Sequence, residues 1–204
     1  MKRIGLLSVL LLVIGFLGLA GCASNSMRPV TDIAAITKPL SQDEAAIVFF
    51  RPSALAQAIQ APVLEVVGDQ LQFVALIPFG TKFLHKTTPG KHLYLIDGEF
   101  GYFMDSDLEG GKTYYACVDP RIGWWRARFV FVPVTSQDFT GDKFTTDFAR
   151  CNWYENSHES LRWFENEEIR LKNRYADLIQ KYSSFKPEEK TKMLPEYGVA
   201  LPIQ

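Results

Sequence analysis

The 204-residue chain is 47% hydrophobic and 22% charged, which excludes disordered and collagen-like classes. Its 22 basic and 23 acidic residues leave a net charge of −1 and no basic footprint for nucleic acid. The average hides one bias: residues 4–20 carry no charge at all.

Lys2 and Arg3 precede the apolar run Ile4–Leu17, which is short for a transmembrane helix and flanked like a signal peptide. Leu19-Ala20-Gly21-Cys22 follows. This order of positive start, apolar stretch, small pair and Cys resembles a bacterial lipobox. The resemblance implies cleavage after residue 21 and a diacylglyceryl thioether on Cys22, with no other cofactor expected. The removed piece holds two basic and no acidic residues, so 183 residues at −3 remain. Ala23, where retained inner-membrane lipoproteins carry Asp, implies the outer membrane, facing the periplasm. Residues 22–43 hold Pro29 and Pro39 and lack a sustained period. They read as a tether, with Ile33–Ile36 as a segment that docks on the domain in the alternative.

Residues 44–150 read as a β domain. Ile47-Val48-Phe49-Phe50 is an apolar strand stopped by Pro52. Segments 62–67 and 70–76 flank the turn Gly68-Asp69, which sets Leu64 opposite Phe73 and Val66 opposite Leu71. Glu65 and Gln72 share the other face. Pro89-Gly90 predicts a turn after strand 81–87. Asp97-Gly98 predicts a tight hairpin that pairs Leu95 with Phe100 and Leu93 with Tyr102. Gly110-Gly111 leads into strand 113–118. The last long strand spans 124–132, where Ala127, Phe129 and Phe131 alternate with Arg126, Arg128 and Val130. This spacing predicts a mainly β fold, an antiparallel sandwich or barrel of roughly 7–8 strands.

Residues 151–204 predict a helical C-terminal extension. Asn156-Ser157-His158-Glu159 reads as a capping box opening a helix that runs to about Ser183. Leu161, Phe164, Leu171, Tyr175, Leu178 and Tyr182 form one apolar stripe, interrupted at Glu168, that packs on the sandwich or on a second copy. A shorter helix is predicted over Pro187–Leu194.

The segments Ile47–Pro52, Gly80–Phe83, Thr88–His92, Leu108–Tyr115 and Gly123–Phe129, in this order, resemble a bacterial lipoprotein family of unknown function. The layout over residues 44–135 is similar to PEGA-type β-sandwiches. The resemblance implies an Ig-like or carboxypeptidase-regulatory-like sandwich, without known enzyme activity and without catalytic residues to transfer.

Cys117 and Cys151 remain after processing in an oxidising compartment, and either bridge or persist as thiols. No CxxC occurs. Asp105-Ser106-Asp107-Leu108-Glu109-Gly110 imitates the start of a calcium loop, but Ala116 stands where the bidentate Glu belongs, so a solvated acidic turn is expected. His85 and His92 flank Pro89-Gly90 as diagonal neighbours on one sheet face. Without a third ligand they read as packed or edge histidines, with Tyr94 and Phe103 beside His92. His158 faces solvent. Asp138, Asp142 and Asp147 spread along a polar loop. No nucleophile elbow, HExxH or P-loop occurs, so no catalytic and no metal residue is assigned.

Trp124 and Trp125 point to opposite faces of a strand. One joins the core. The other either forms a binding platform with Tyr102, Phe103 and Trp153, or is covered by the helix that carries Trp163 and Phe164. The reading is a non-enzymatic, membrane-anchored envelope lipoprotein, a structural or protein-interaction module whose partner is an envelope protein. The alternative is a glycan-, peptidoglycan- or peptide-binding module using the aromatic face. An envelope hydrolase with an unrecognised site is the least favoured.

Overall fold

A computed structural model describes residues 26–36, 38–124 and 127–200; Cys22 and Trp125 lie outside them. The chain first forms β1 (Met27–Pro29) and a single helical turn, α1 (Ile33–Ile36). Eight strands follow: β2 (Ala45–Arg51), β3 (Ala61–Val67), β4 (Gln70–Ile77), β5 (Thr81–Thr87), β6 (Gly90–Ile96), β7 (Tyr102–Leu108), β8 (Thr113–Arg121) and β9 (Arg128–Pro133). Then come α2 (Asp142–Ala149), β10 (Asn152–Asn156), α3 (His158–Ser183) and β11 (Thr191–Met193).

The strands form two sheets, ordered β1-β10-β5-β2-β8-β9 and β11-β7-β6-β3-β4. The fold is mainly β, as expected, but the sheets are mixed rather than antiparallel. β2 pairs with β8, β10 with β5 and β11 with β7 in parallel. The chain visits the second sheet between β2 and β8, so those neighbours come together by a long crossover.

β2 explains its own sequence. Ile47 and Phe49 enter the core between the sheets, whereas Val48 and Phe50 enter a second cluster under α2. Burial on both faces requires an unbroken apolar run. Phe144 and Phe148, four residues apart, supply the covering face of α2, which replaces the polar loop expected there. The third cluster lies between the second sheet and α3. Leu64, Leu71, Leu95 and Phe103 meet Leu171, Tyr175, Leu178 and Tyr182. Phe164 stacks on Phe73 at 5.2 Å.

The β3–β4 hairpin has the expected register, Leu64 opposite Phe73 and Val66 opposite Leu71. Gly68 has φ 63°, a left-handed value that suits glycine. α3 spans the expected residues, but its capping box closes between Ser157 and Ser160, and Leu161 stands exposed.

Other expectations are overturned. The Asp97-Gly98 hairpin is a five-residue connection, 97–101, with Leu95 opposite Phe103 and Leu93 opposite Asp105. Tertiary ion pairs outcompete the tight turn: buried Asp97 meets Arg170 and Arg174, each at 3.2 Å. Arg174 also donates to the carbonyls of Gly98 and Glu99. Residues 88–89 join strands of opposite sheets, so Pro89-Gly90 is a corner and not a hairpin turn. β9 starts at Arg128, leaving Trp124 outside it. The C-terminal region is not wholly helical. β10 enters the first sheet, and Pro187–Glu189 is a 3-10 turn leading to β11 instead of a second helix. The tether is partly recruited: Met27 is buried, β1 pairs with β10, and Ile36 packs on the α2 cluster.

Candidate functional site

β9 is the last strand of the first sheet. Its inward residues, Phe129 and Phe131, alternate with Val130 and Val132, and Val132 is 41% exposed. An end strand carries backbone N–H and C=O groups that no neighbour pairs. Cavities adjoin both sides of this edge. One, of about 470 Å³, is lined by Phe100, Tyr102, Val132, Lys181, Tyr182 and Phe185 among others. The other, of about 240 Å³, is lined by Phe50, Cys117, Val132, Val134, Lys143 and Phe144 among others. Val132 borders both.

The larger cavity is aromatic with a cationic rim. Phe103 and Tyr182 stack at 4.5 Å, and Tyr182 meets Phe185 edge-on at 5.9 Å. The Arg128 guanidinium lies 4.5 Å above the Phe100 ring, and Lys181 lies 5.8 Å from it. Burial, and then the nearby Asp105 carboxylate, hold the Tyr182 phenol above its ordinary range.

The sequence-predicted aromatic patch is dispersed. Tyr102 and Phe103 do line this cavity. Trp153 is buried on the outer face of the other sheet, against Phe148 and under Lys82. Trp124 is 81% exposed on the β8–β9 connection, where its backbone N–H donates to the Glu99 carboxylate. Trp163 and Phe164 pack on Phe73, not on Trp124. The break is physical: Trp153 belongs to β10, which crosses the far side of the first sheet. Phe100, Val132 and Phe185 were missed. Phe185 follows the helix stripe by three residues, so its spacing after Tyr182 was the available signal.

Cys117 and Cys151 are unbridged thiols. Burial pushes Cys117 up to about 12 and Cys151 up to about 11, which disfavours both thiolates. Asp105 and Asp107 sit on β7, so the acidic segment is a strand and not a turn. No group of three or more His, Cys, Asp or Glu able to hold a metal occurs among the described residues.

A second cluster sits between the sheets. β5 of one sheet carries His85, and β3 and β6 of the other carry Glu65 and His92. His92 Nδ1 lies 2.6 Å from Glu65 Oε1, and its Nε2 lies 2.9 Å from the Thr88 carbonyl. His85 Nε2 lies 3.3 Å from Glu65 Oε2. Both His92 nitrogens face acceptors, so only the imidazolium donates to both. Burial would raise the Glu65 carboxyl, but the hydrogen bonds and charges of His85 and His92 outweigh it and hold Glu65 at about 2. The same bond raises His92 above 6.5 against its own burial. Each carboxylate oxygen is engaged by an imidazole, so the arrangement pins one sheet to the other. The 88–89 corner carries the chain across, so the histidines meet from facing sheets and are not diagonal neighbours on one face; Tyr94 stacks beside His92 as expected, whereas Phe103 faces α3 on the other side of its sheet.

Comparison with models of known protein families, with characterised proteins and with solved structures returns no match. No helix among the described residues is long and apolar enough to cross a membrane.

Proposed function

We propose that this is a lipid-anchored bacterial envelope protein whose β-sandwich is a non-enzymatic module for binding an extended segment of an envelope protein. The observation that carries the binding reading is the β9 edge with a cavity on each side. An extended peptide adding to a sheet edge sends alternate side chains to opposite faces. Val132, bordering both cavities, marks the point where such a peptide would engage them. The aromatic rings and the Lys181 rim suit an apolar or acidic side chain on one face. The lipobox at Leu19–Cys22 supports the anchor, and Ala23 supports the outer membrane facing the periplasm. The order of segments over 44–135 supports a PEGA-like, Ig-like sandwich. A glycan ligand is the second reading, favoured by the exposure of Trp124.

A photo-crosslinking amino acid placed at Val132 or Phe185 tests this in cells. The expected result is a discrete protein adduct from both positions and none from Ile169, which is 76% exposed on the outer side of α3. Equal adducts from Ile169, or none from either cleft position, would refute the assignment. A polysaccharide adduct would select the second reading. Palmitate labelling lost in Cys22→Ser is the matching expectation for the anchor.

A further inference from the structure

Four connections meet at one end of the sandwich: 52–60, 78–80, 97–101 and the one between β8 and β9, described at 122–124 and 127. Cross-links place them together. The Gly80 N–H donates to the Arg51 carbonyl, the Asp97 N–H to Pro62, and the Glu99 N–H to Ala127. Six of the exposed large apolar side chains lie on these connections: Leu55, Ile59, Phe79, Phe100, Ile122 and Trp124. Ile122 and Trp124 are 83% and 81% exposed. The charge pattern matches. Residues 52–60 and 78–80 contain no charged residue, and 122–127 contains only Arg126. The acids of 97–101 are both engaged, Asp97 by Arg170 and Arg174, and Glu99 by Arg128 and the Trp124 backbone N–H. The opposite end is different. Its connections carry Asp43, Glu44, Asp69, Glu109 and Lys112.

Ser26, the first described residue, touches the 52–60 connection through Gln60. Gln60 Nε2 donates to the Ser26 hydroxyl at 3.1 Å, and Ser157 donates to the Ser26 carbonyl. Ser26 lies four positions after Cys22. Four residues span at most about 14 Å.

We infer that this apolar end rests in the interfacial layer of the bilayer, with Ile122 and Trp124 inserted among the headgroups. The inference rests on the proposed lipid at Cys22 and adds an orientation to it. A lipid held within about 14 Å of Ser26 leaves little room for a protein between this end and the membrane. Trp favours the membrane–water interface, where its ring is apolar and its N–H is hydrated. An apolar surface on loops, where polar residues normally stand, marks a contact surface. In this pose the strands stand upright on the membrane. The polar connections at 68–69 and 109–112 point away from it, and the β9 edge faces sideways.

The test uses the full lipidated chain in vesicles of phosphatidylethanolamine and phosphatidylglycerol with brominated acyl chains. Tryptophan emission should fall relative to unbrominated vesicles. Trp124→Phe should remove a share of that quenching, and Ile122→Asp should weaken it, while Trp163→Phe, packed on Phe73 midway along β4, should leave it intact. Palmitate label and flotation are read on the same samples. A chain that is labelled and floats, but whose quenching is absent or insensitive to Trp124→Phe, overturns this inference alone. A chain neither labelled nor floating overturns the anchor and the inference together. Trp124 left unquenched in vesicles yet shielded from iodide in native membranes would show a protein on this end, and would also overturn the inference.

Discussion

Replacing Glu65 by Gln removes the one charge shared by both histidines. Glu65 is only 8% exposed, and its carboxyl moves from an ordinary 4.5 to about 2 on folding. At about 1.4 kcal/mol per unit, that shift corresponds to about 3 kcal/mol of stability present near pH 6. Gln keeps one acceptor, so the expected loss in Glu65→Gln is about 2–3 kcal/mol near pH 6. The loss should depend on pH with a definite sign. Glu65 is more acidic folded than unfolded, so its contribution is complete above 4.5 and fades as pH falls toward 2. His92 holds its proton more tightly when folded, so its contribution is complete below 6.5 and fades as pH rises through the raised folded value. The wild-type advantage is therefore greatest between about 4.5 and 6.5. Above that window it should shrink toward about 1 kcal/mol, the worth of neutral hydrogen bonds. Urea unfolding of both proteins at pH 5, 6, 7.5 and 9 gives the difference directly. A difference that is flat from pH 5 to 9, or absent at pH 6, would refute the ion-triad account.

Arg51 is fully buried, and its guanidinium donates to four carbonyls, those of Leu55, Ala56, Ile59 and Ile77, at 2.6–3.2 Å. Burial lowers it to about 10, and two of its bonds reach the Leu55-Ala56 turn, where Ala56 stands at φ 54°. A Lys cannot reproduce the fork, so Arg51→Lys should cost about 3 kcal/mol and lower Tm by about 6–12 °C in a thermal melt; an unchanged Tm would count against the fork. Cys117 and Cys151 should resist iodoacetamide at pH 7.5 in the folded protein, because burial disfavours both thiolates. Both should alkylate after denaturation without reductant, read as two mass additions. No addition would reveal a bridge instead.

Local chemistry made some parts legible. The β3–β4 register followed from Gly68-Asp69 and the alternation around it, because turn and hydrophobic pattern act within a few residues. The α3 bounds followed from Ser157 and a 3-4 stripe, for the same reason. The site was less legible. Tyr102 and Phe103 were identified as candidates, but the cavity they line is completed by Tyr182 and Phe185, some 80 residues away in the chain, and no local pattern encodes that meeting. The polar reading of 135–150 missed α2, because Phe144 and Phe148 are only two apolar positions among charged neighbours and depend on Phe50 and Tyr115 for burial.

The sequence by itself determined a mainly β chain with a long amphipathic helix and an N-terminal stretch read as an export address. Period, turn residues and caps are short-range and survive without a partner. Tertiary structure decided which strands share a sheet. It sent β5 and β6 to opposite sheets, recruited β10 and β11 from the C-terminal region, and opened the 97–101 connection around the Asp97 ion pairs. It also enclosed Glu65 between two histidines from opposite sheets and set the β9 edge beside an aromatic cavity. Each outcome depends on burial and charge pairing between residues far apart in sequence, where the free energy comes from contacts that exist only once the layers have closed.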